Sequence, residues 1–543
     1  MFKMNRVPRL AFVILALILA LGSLAYAMPW PQKVNGEIVL NLEVGSGPGQ
    51  VGFIPEGPEI LPLGPESFDI GRDVAIYLLD SANHRIQCFD AEGNLRSIIP
   101  LKLRGVDLQV AGENTFYILD ETRWYVSRVD GQGRDLGTYE ISKDIEAISG
   151  ISLDKGKDLT LKVANEEEYK LTSAGKHIAP DQQRQTRREG LTAPWSAAIH
   201  YAFKRLDEGL GHRGVMQVFD TSGDILLEIP ITTEHLLGSV VFVNTDKYGN
   251  SYLAVEELLE SSIVTVEKTI RKYDSNGKLL GIAKLPIEEY YTCPNTEVRV
   301  DEEGNIYHLV PSRDRVKLLK LNLSQNFTSS LRKGISFKLP KIELVKTVLA
   351  CDGTISRNTV WNTARSYITH SWYCNSSNYY GSGCSGRTRP PYLPGPNQWV
   401  TSLPYQWGGF DTVNGFDSKM GQNAAAGDAD GNSCSCPAGV GGVDCSGYVS
   451  RCWDLCWHHA TWQLPDVSDP ICDPDYLHRA DILDKPHHHV VLVSSVHGSG
   501  VSCYESTTAN GGHVQSLYHT WSWLAGYGMY EYKRITPYYD RGC

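Results

Sequence analysis

Between residues 70 and 310 the chain repeats one short pattern, and that repetition limits the folds open to it more than any other feature. The segments IYLLDSANHRIQCFDAEGNLRSIIPL, FYILDETRWYVSRVDGQGRDLGTYEI, VMQVFDTSGDILLEIPI, IRKYDSNGKLLGIAKLPI and VRVDEEGNIYHLV each alternate apolar and polar residues around Asp-x-x-Gly. Alternation with period two gives a strand one apolar face. Asp followed by Gly supplies the left-handed backbone that a tight hairpin needs. A period of roughly 35–50 residues, with three or four short strands in each copy, is the sequence form of a β-propeller blade. About six blades are expected, in an all-β domain over residues 36–330.

The segment LDSANHRIQCFDAEGN resembles an NHL-type propeller repeat, and VLNLEVGSGPGQVGF resembles the segment between blades of that family. Propellers of this kind generally bind rather than catalyse, and a fold alone names no ligand. A protein or glycan ligand and a purely positioning role both stay open.

Composition changes near residue 350. Residues 1–350 hold two cysteines, Cys88 and Cys293, and three tryptophans, whereas residues 351–543 hold eleven cysteines, nine tryptophans and only two glutamates, Glu505 and Glu531. A chain of 543 residues also exceeds the roughly 250–300 residues at which one core stops growing. Two domains are therefore expected, joined by a linker over 331–355 with the Lys-rich stretch Leu331 to Lys346, and the second domain is expected to run over 356–543. The net charge of −11 argues against a polyanionic partner, because nucleic-acid binding needs basic patches.

Lys3, Arg6 and Arg9 precede an apolar run from Ala11 to Leu21, and Ala25-Tyr26-Ala27 has the form of a signal-peptidase site. Residues 1–27 are read as a signal peptide cleaved after Ala27; an uncleaved anchor is the alternative. The expected product is a monomer that is secreted or associated with the cell envelope.

Chemistry concentrates in the second half. In Gly442-Val443-Asp444-Cys445-Ser446-Gly447-Tyr448-Val449-Ser450-Arg451, a turn precedes apolar residues at helical spacing, so Cys445 is expected at a helix N-terminus. Unpaired backbone N–H groups there favour a thiolate. Alone, one cysteine among thirteen in an exported protein reads as half of a disulfide. Three further segments change that reading. His487-His488-His489-Val490-Val491 brings a histidine into a buried strand, Cys503-Tyr504-Glu505-Ser506 offers a carboxylate to orient it, and Tyr405-Gln406-Trp407-Gly408-Gly409 offers a phenol beside glycines.

Together these segments resemble the NlpC/p-sixty cysteine peptidases, whose hallmark is Tyr-x-Trp-Gly-Gly, Asp-Cys-Ser-Gly, a strand beginning His-Val, and a polar third residue. The resemblance implies a papain-like α+β domain, with Cys445 as nucleophile, His489 as base, Glu505 as the orienting residue and Tyr405 near the oxyanion. Trp407, Asp444 and Ser446 are assigned to substrate binding. Ala480-Asp481-Ile482-Leu483 matches the family's Gly-Asp-Ile-Leu turn. The implied substrate is an amide of a peptidoglycan stem peptide, typically next to D-glutamate. An insertion over 410–442 separates Tyr405 from Cys445, and a plug over the site is one reading of it. The third residue is more often histidine, asparagine or glutamine in the family, so Tyr504 and Asn510 are alternatives to Glu505. An amidase or acyltransferase on another amide or ester, and a non-catalytic envelope-binding protein, are the alternative functions.

No cofactor and no metal are expected. His487 and His489 lack a zinc-site spacing, and Asp428-Ala429-Asp430-Gly431-Asn432 lacks the glycine and glutamate of a calcium loop, so it is read as solvated. The twelve cysteines other than Cys445 are expected in disulfides, with zinc at Cys434, Cys436, Cys452 and Cys456 as the alternative. The tail tryptophans Trp407, Trp453, Trp457, Trp521 and Trp523 are read as core packing before groove lining.

Overall fold

The computed structural model describes residues 36–541 apart from 58–59, 72, 113, 155–157, 164–166, 194–195, 332–352, 382–386, 430–438 and 540. The expected signal peptide and nearly all of the expected linker lie outside the described residues, as do Cys351, Cys384, Cys434, Cys436 and Cys543.

Each repeated Asp-x-x-Gly closes a hairpin. Gly93, Gly133, Gly223, Gly277 and Gly304 have φ between 74° and 89°, and each donates its N–H to the carbonyl of the Asp three residues earlier at 2.9–3.2 Å. Asp246 to Gly249 forms the same turn. With the turns fixed, alternation places one face of each strand inward, and the strands pair into six four-stranded antiparallel sheets.

The first sheet joins Ser67–Ile70, Ile76–Asp80, Arg85–Phe89 and Leu95–Pro100 in sequence order, and the second joins Gly105–Val110 through Asp135–Glu140. The third (Ile148–Leu153, Leu159–Val163, Glu167–Lys170, Arg188–Glu189) arises where the repeat is faint in sequence, and the fourth (Leu191–Ala193 through Ile225–Thr232) holds the copy VMQVFDTSGDILLEIPI in its last two strands. The fifth runs from Leu236–Thr245 to Leu279–Leu285. The sixth takes Val298–Val300, Ile306–Pro311 and Arg315–Leu321, and its outer strand is Gly36–Glu43 from the other end of the domain. That exchange ties first and last strands together, which closes a propeller ring.

Apolar layers fill the gaps between successive sheets, such as Leu79, Ile86, Leu108 and Ile118 between the first and second. Polar bonds cross the centre as well. Asp107, 2 % exposed, accepts from Ser67 Oγ at 2.7 Å and from the Ile151 N–H at 2.8 Å, linking the first three sheets.

The C-terminal unit is α+β. Its six-stranded antiparallel sheet has the order Ser468–Pro470, Gly528–Tyr532, Ile482–Lys485, His489–His497, Gly500–Thr507 and His513–Thr520. Helices Arg357–Thr369 and Cys445–Cys452 belong to the core built on one face, where Tyr448, Val449 and Cys452 meet Ile482, Val490, Leu492 and Tyr504. Alternation sends Leu483, Val491, Val493 and Cys503 to the other face, where they pack with Leu236, Leu258 and Val264 of the fifth propeller sheet. The propeller thus covers the sheet face opposite the helix.

Under the expected Ala480-Asp481-Ile482-Leu483 turn lies a buried ion network. Arg357 Nη1 meets Asp481 Oδ1 at 2.7 Å, Arg541 Nη2 meets Asp481 Oδ2 at 3.0 Å, and both arginines also pair with Glu531. This quartet joins the first helix of the unit, the sheet and the chain end.

Candidate functional site

Cys445 begins the helix Cys445–Cys452, as expected. Asp444 caps it by accepting the Gly447 N–H at 2.6 Å, the favoured way to satisfy an orphan donor. Ser446 Oγ lies 2.8 Å from His458 Nε2, which also lies 3.1 Å from Asp444 Oδ1. Asp444 and Ser446 are buried, and both are used in holding the start of this helix.

The Tyr405 motif docks against this cap although the insertion separates the two. Tyr405 forms a parallel bridge with Val443, the Gln406 N–H donates to Val443 O at 3.0 Å, and the Asp444 N–H donates to Gly409 O at 3.2 Å. Glycine is required at the junction: a Cβ on Gly447 would lie 2.1 Å from Gly409 O. Tyr405 is fully buried, while Trp407 is half-buried.

Where it is described, the insertion is part of the folded unit. Its helix Val413–Gly421 buries Phe416 and Met420 in the core, and Ala425–Ala426 pairs with Val440–Gly441. Asp428, expected in a solvated loop, is buried instead, with its Oδ1 accepting the Thr388 N–H at 3.0 Å.

His489 opens its strand with Nε2 placed 2.6 Å from Glu505 Oε2. Both side chains are 1 % exposed. Of the three candidates for the orienting position, Glu505 is the one bonded to His489; Tyr504 packs on the helix side, and Asn510 Oδ1 accepts from Arg123 Nε at 3.4 Å. The other Glu505 oxygen meets His519 Nε2. His519 stacks on Trp523 with ring centroids 3.6 Å apart. Burial raises the Glu505 pKa, but the His519 charge and the bonds from both histidines outweigh it and hold the carboxyl down at about 2.

The sheet therefore brings His489 and Glu505 into direct contact, on strands against which the Cys445 helix packs. Cys445 itself sits with the helix-side core. Burial, then the charges of Glu505, Cys293, Cys445 and Asp484, push the Tyr527 hydroxyl well above the usual range. His519 and Tyr527 are not singled out by the sequence, and Trp523 is read there as core packing. The alternation of the strand His513–Thr520 put His519 on the same face as Glu505, but only the strand register shows it.

The disulfide expectation is overturned for five cysteines. Cys88, Cys293, Cys374, Cys452 and Cys503 form no disulfide, nor does Cys445, while Cys456 and Cys472 are disulfide-bonded. Cys374 and Cys452 fill the helix-side core, and Cys503 fills the layer against the propeller, where they act as small apolar side chains. Burial pushes the thiols of Cys293 and Cys374 up to about 12 and about 11, which keeps them unreactive. Among the described residues no group of three or more His, Cys, Asp or Glu is arranged to hold a metal ion.

No family model matches the chain, and no curated protein matches it. Among solved structures it is similar to a member of the DUF4221 family from Bacteroides vulgatus, at 12 % identity over 54 % of this chain and 99 % of that one, with a TM-score of 0.33. It is also similar to BamB from Moraxella catarrhalis, at 11 % identity over 53 % and 100 % of the two chains, with a TM-score of 0.26. Virginiamycin B lyase from Staphylococcus aureus matches at 14 % identity over 50 % and 98 %, with a TM-score of 0.28. Similarity at this level assigns no function, and the propeller rests on its own strand pairing.

Proposed function

We propose that the protein is an exported cysteine peptidase of the NlpC/p-sixty type that hydrolyses amide bonds of peptidoglycan stem peptides, with the propeller as its binding or positioning module. The observation that carries this reading is the buried His489–Glu505 hydrogen bond at 2.6 Å, on strands packed against the helix headed by Cys445, which forms no disulfide.

In the proposed reaction, Glu505 holds His489 through Nε2, which leaves Nδ1 to take the thiol proton. The thiolate attacks the amide carbonyl, and N–H groups at the helix start stabilise the oxyanion. His489 then protonates the leaving amine, and water hydrolyses the acyl-enzyme. Replacing His489 by Ala is expected to lower the turnover of purified peptidoglycan by about 100-fold or more, with the fold retained by circular dichroism; unchanged turnover would refute the assignment.

A second reading is a non-catalytic envelope-binding protein. It draws on the full burial of Cys445 and on the propeller covering the His489 face. Binding of peptidoglycan without release of fragments would favour it.

A further inference from the structure

Apolar layers fill five of the six gaps between neighbouring propeller sheets: the first and second, second and third, fourth and fifth, fifth and sixth, and sixth and first sheets each share a buried cluster. Among the described residues no such layer lies between the third and fourth. Alternation in Leu159–Val163 sends Leu159, Leu161 and Val163 into the layer against the second sheet, and Thr160 and Lys162 the other way. Cross-strand pairing sets Ser152 and Lys170 beside Thr160, and Glu168 beside Lys162, so this face of the third sheet is polar.

That face lines a cavity, and the carboxylates in its wall already have donors. Glu168, 3 % exposed, accepts the Thr192 N–H at 3.0 Å and the Thr192 hydroxyl at 2.6 Å. Asp154 Oδ1 accepts the Asp158 N–H at 2.8 Å, and Ser152 Oγ and Thr160 Oγ1 bond each other at 2.5 Å. Lys162 and Lys170 line the same cavity, and neither forms an ion pair among the described residues. Burial, then the charge of Arg299, lower the Lys162 pKa against the pull of Asp107, Glu168 and Asp69, so its ammonium is under-compensated where it stands. The donors without partners therefore call for an anion. Leu153, Leu191, Phe242 and Val243 complete the wall and suit an apolar body on the same molecule.

We propose that the gap between the third and fourth propeller sheets is a binding site for a small organic carboxylate, whose charge is held by Lys162 and Lys170 and whose apolar part packs on Leu153, Leu191, Phe242 and Val243. The site is separate from Cys445. Asp154 begins the turn between the first and second strands of its sheet, whereas the C-terminal unit bonds to loops between second and third strands, through Arg123, Leu210 and Val264. These are opposite ends of the strands, so the site stands whether or not Cys445 is a nucleophile.

Ligand-observed NMR titration of the full-length protein with propionate tests it, with propionamide as the uncharged match and inorganic phosphate as the bare anion. Saturable binding of propionate is expected, about tenfold or more tighter than that of either control. Lys162→Met and Lys170→Met keep an aliphatic stem without the charge, and each is expected to weaken propionate binding by about tenfold or more. N-acetylalanine titrated alongside separates a peptide terminus from a free acid as the source of the carboxylate, the tighter binder naming it. No saturable propionate binding, equal affinity for propionamide or phosphate, or unchanged binding in either lysine variant would overturn the proposal. The comparison of propionate with its controls on the unsubstituted protein decides even if a variant does not fold.

Discussion

Val264, in the loop between Ser251–Leu258 and Val266–Tyr273 of the fifth propeller sheet, and Tyr527 of the C-terminal unit are joined through the backbone: the Val264 N–H donates to Tyr527 O at 2.8 Å, and the neighbouring Gly526 N–H donates to Val264 O at 2.9 Å. The same Tyr527 carries the hydroxyl that responds to Glu505 and Cys445. The propeller is thus bonded to the segment that borders the candidate site, and the sheet face bearing Glu505 is not an outer surface of the molecule.

The C-terminal unit expressed without the propeller is expected to be sticky. Leu483, Val491, Val493, Trp521 and Met529 would lose their cover from Leu236, Leu258 and Val264, and each large apolar side chain uncovered costs about 1.5–3 kcal/mol. Residues 353–543 alone should bind a hydrophobic dye and self-associate on size-exclusion chromatography, unlike the full chain. A monodisperse fragment that binds no dye would show that the contact is incidental.

Asp481→Ala is expected to be among the most damaging single substitutions away from the site. It would leave Arg357 and Arg541, both nearly buried, with Glu531 as their shared carboxylate. Breaking a buried pair costs about 3–5 kcal/mol. Thermal unfolding checks this, and a melting temperature within about 2 °C of wild type would contradict it.

Stability should fall from pH 6.5 downward. Burial lowers His513 from 6.5 to about 3 and His308 to about 4, and Glu505 stands at about 2 instead of 4.5. For each depressed group the unfolded chain binds a proton before the native one, so its contribution is present above the unfolded pKa and lost as pH falls through the folded value. Glu66 acts oppositely: burial raises it to about 7, so its contribution is present below 4.5 and lost as pH rises through 7. His513 stacks on Tyr392 at 4.4 Å, and His513→Phe should keep that packing while flattening the fall between pH 6.5 and 3. An unchanged pH profile of the melting temperature would remove His513 from the explanation.

Thiol titration should separate the cysteines without reductant. Cys88, Cys293, Cys374, Cys445, Cys452 and Cys503 are expected to alkylate once denatured, and Cys456 and Cys472 only after reduction. Peptide mapping reads this directly; a blocked Cys445 would end its role as nucleophile.

The repeat was legible because its turn chemistry is local: Asp and Gly set each hairpin wherever they occur, and five of them were enough to give the sheet count. The third sheet escaped because its outer strand, Arg188–Glu189, follows a helical detour over Pro180–Gln183 that no periodicity marks. In the C-terminal unit, the helix at Cys445 and the strand at His489 were visible from capping and apolar runs. His519 was not, because its contact with Glu505 arises from the pairing of two strands, which is tertiary. The disulfide count misled for a related reason: cysteine number reports compartment, whereas burial in separate layers decides which thiols can meet.

The measurement that bears most directly on the central claim is incubation of the protein, and of its Cys445→Ala variant, with purified peptidoglycan, followed by mass spectrometry of the soluble fragments. Stem-peptide fragments are expected from the unsubstituted protein alone, and their masses would name the bond. Identical fragments from both proteins, or none from either, would contradict a cysteine peptidase built on Cys445, His489 and Glu505.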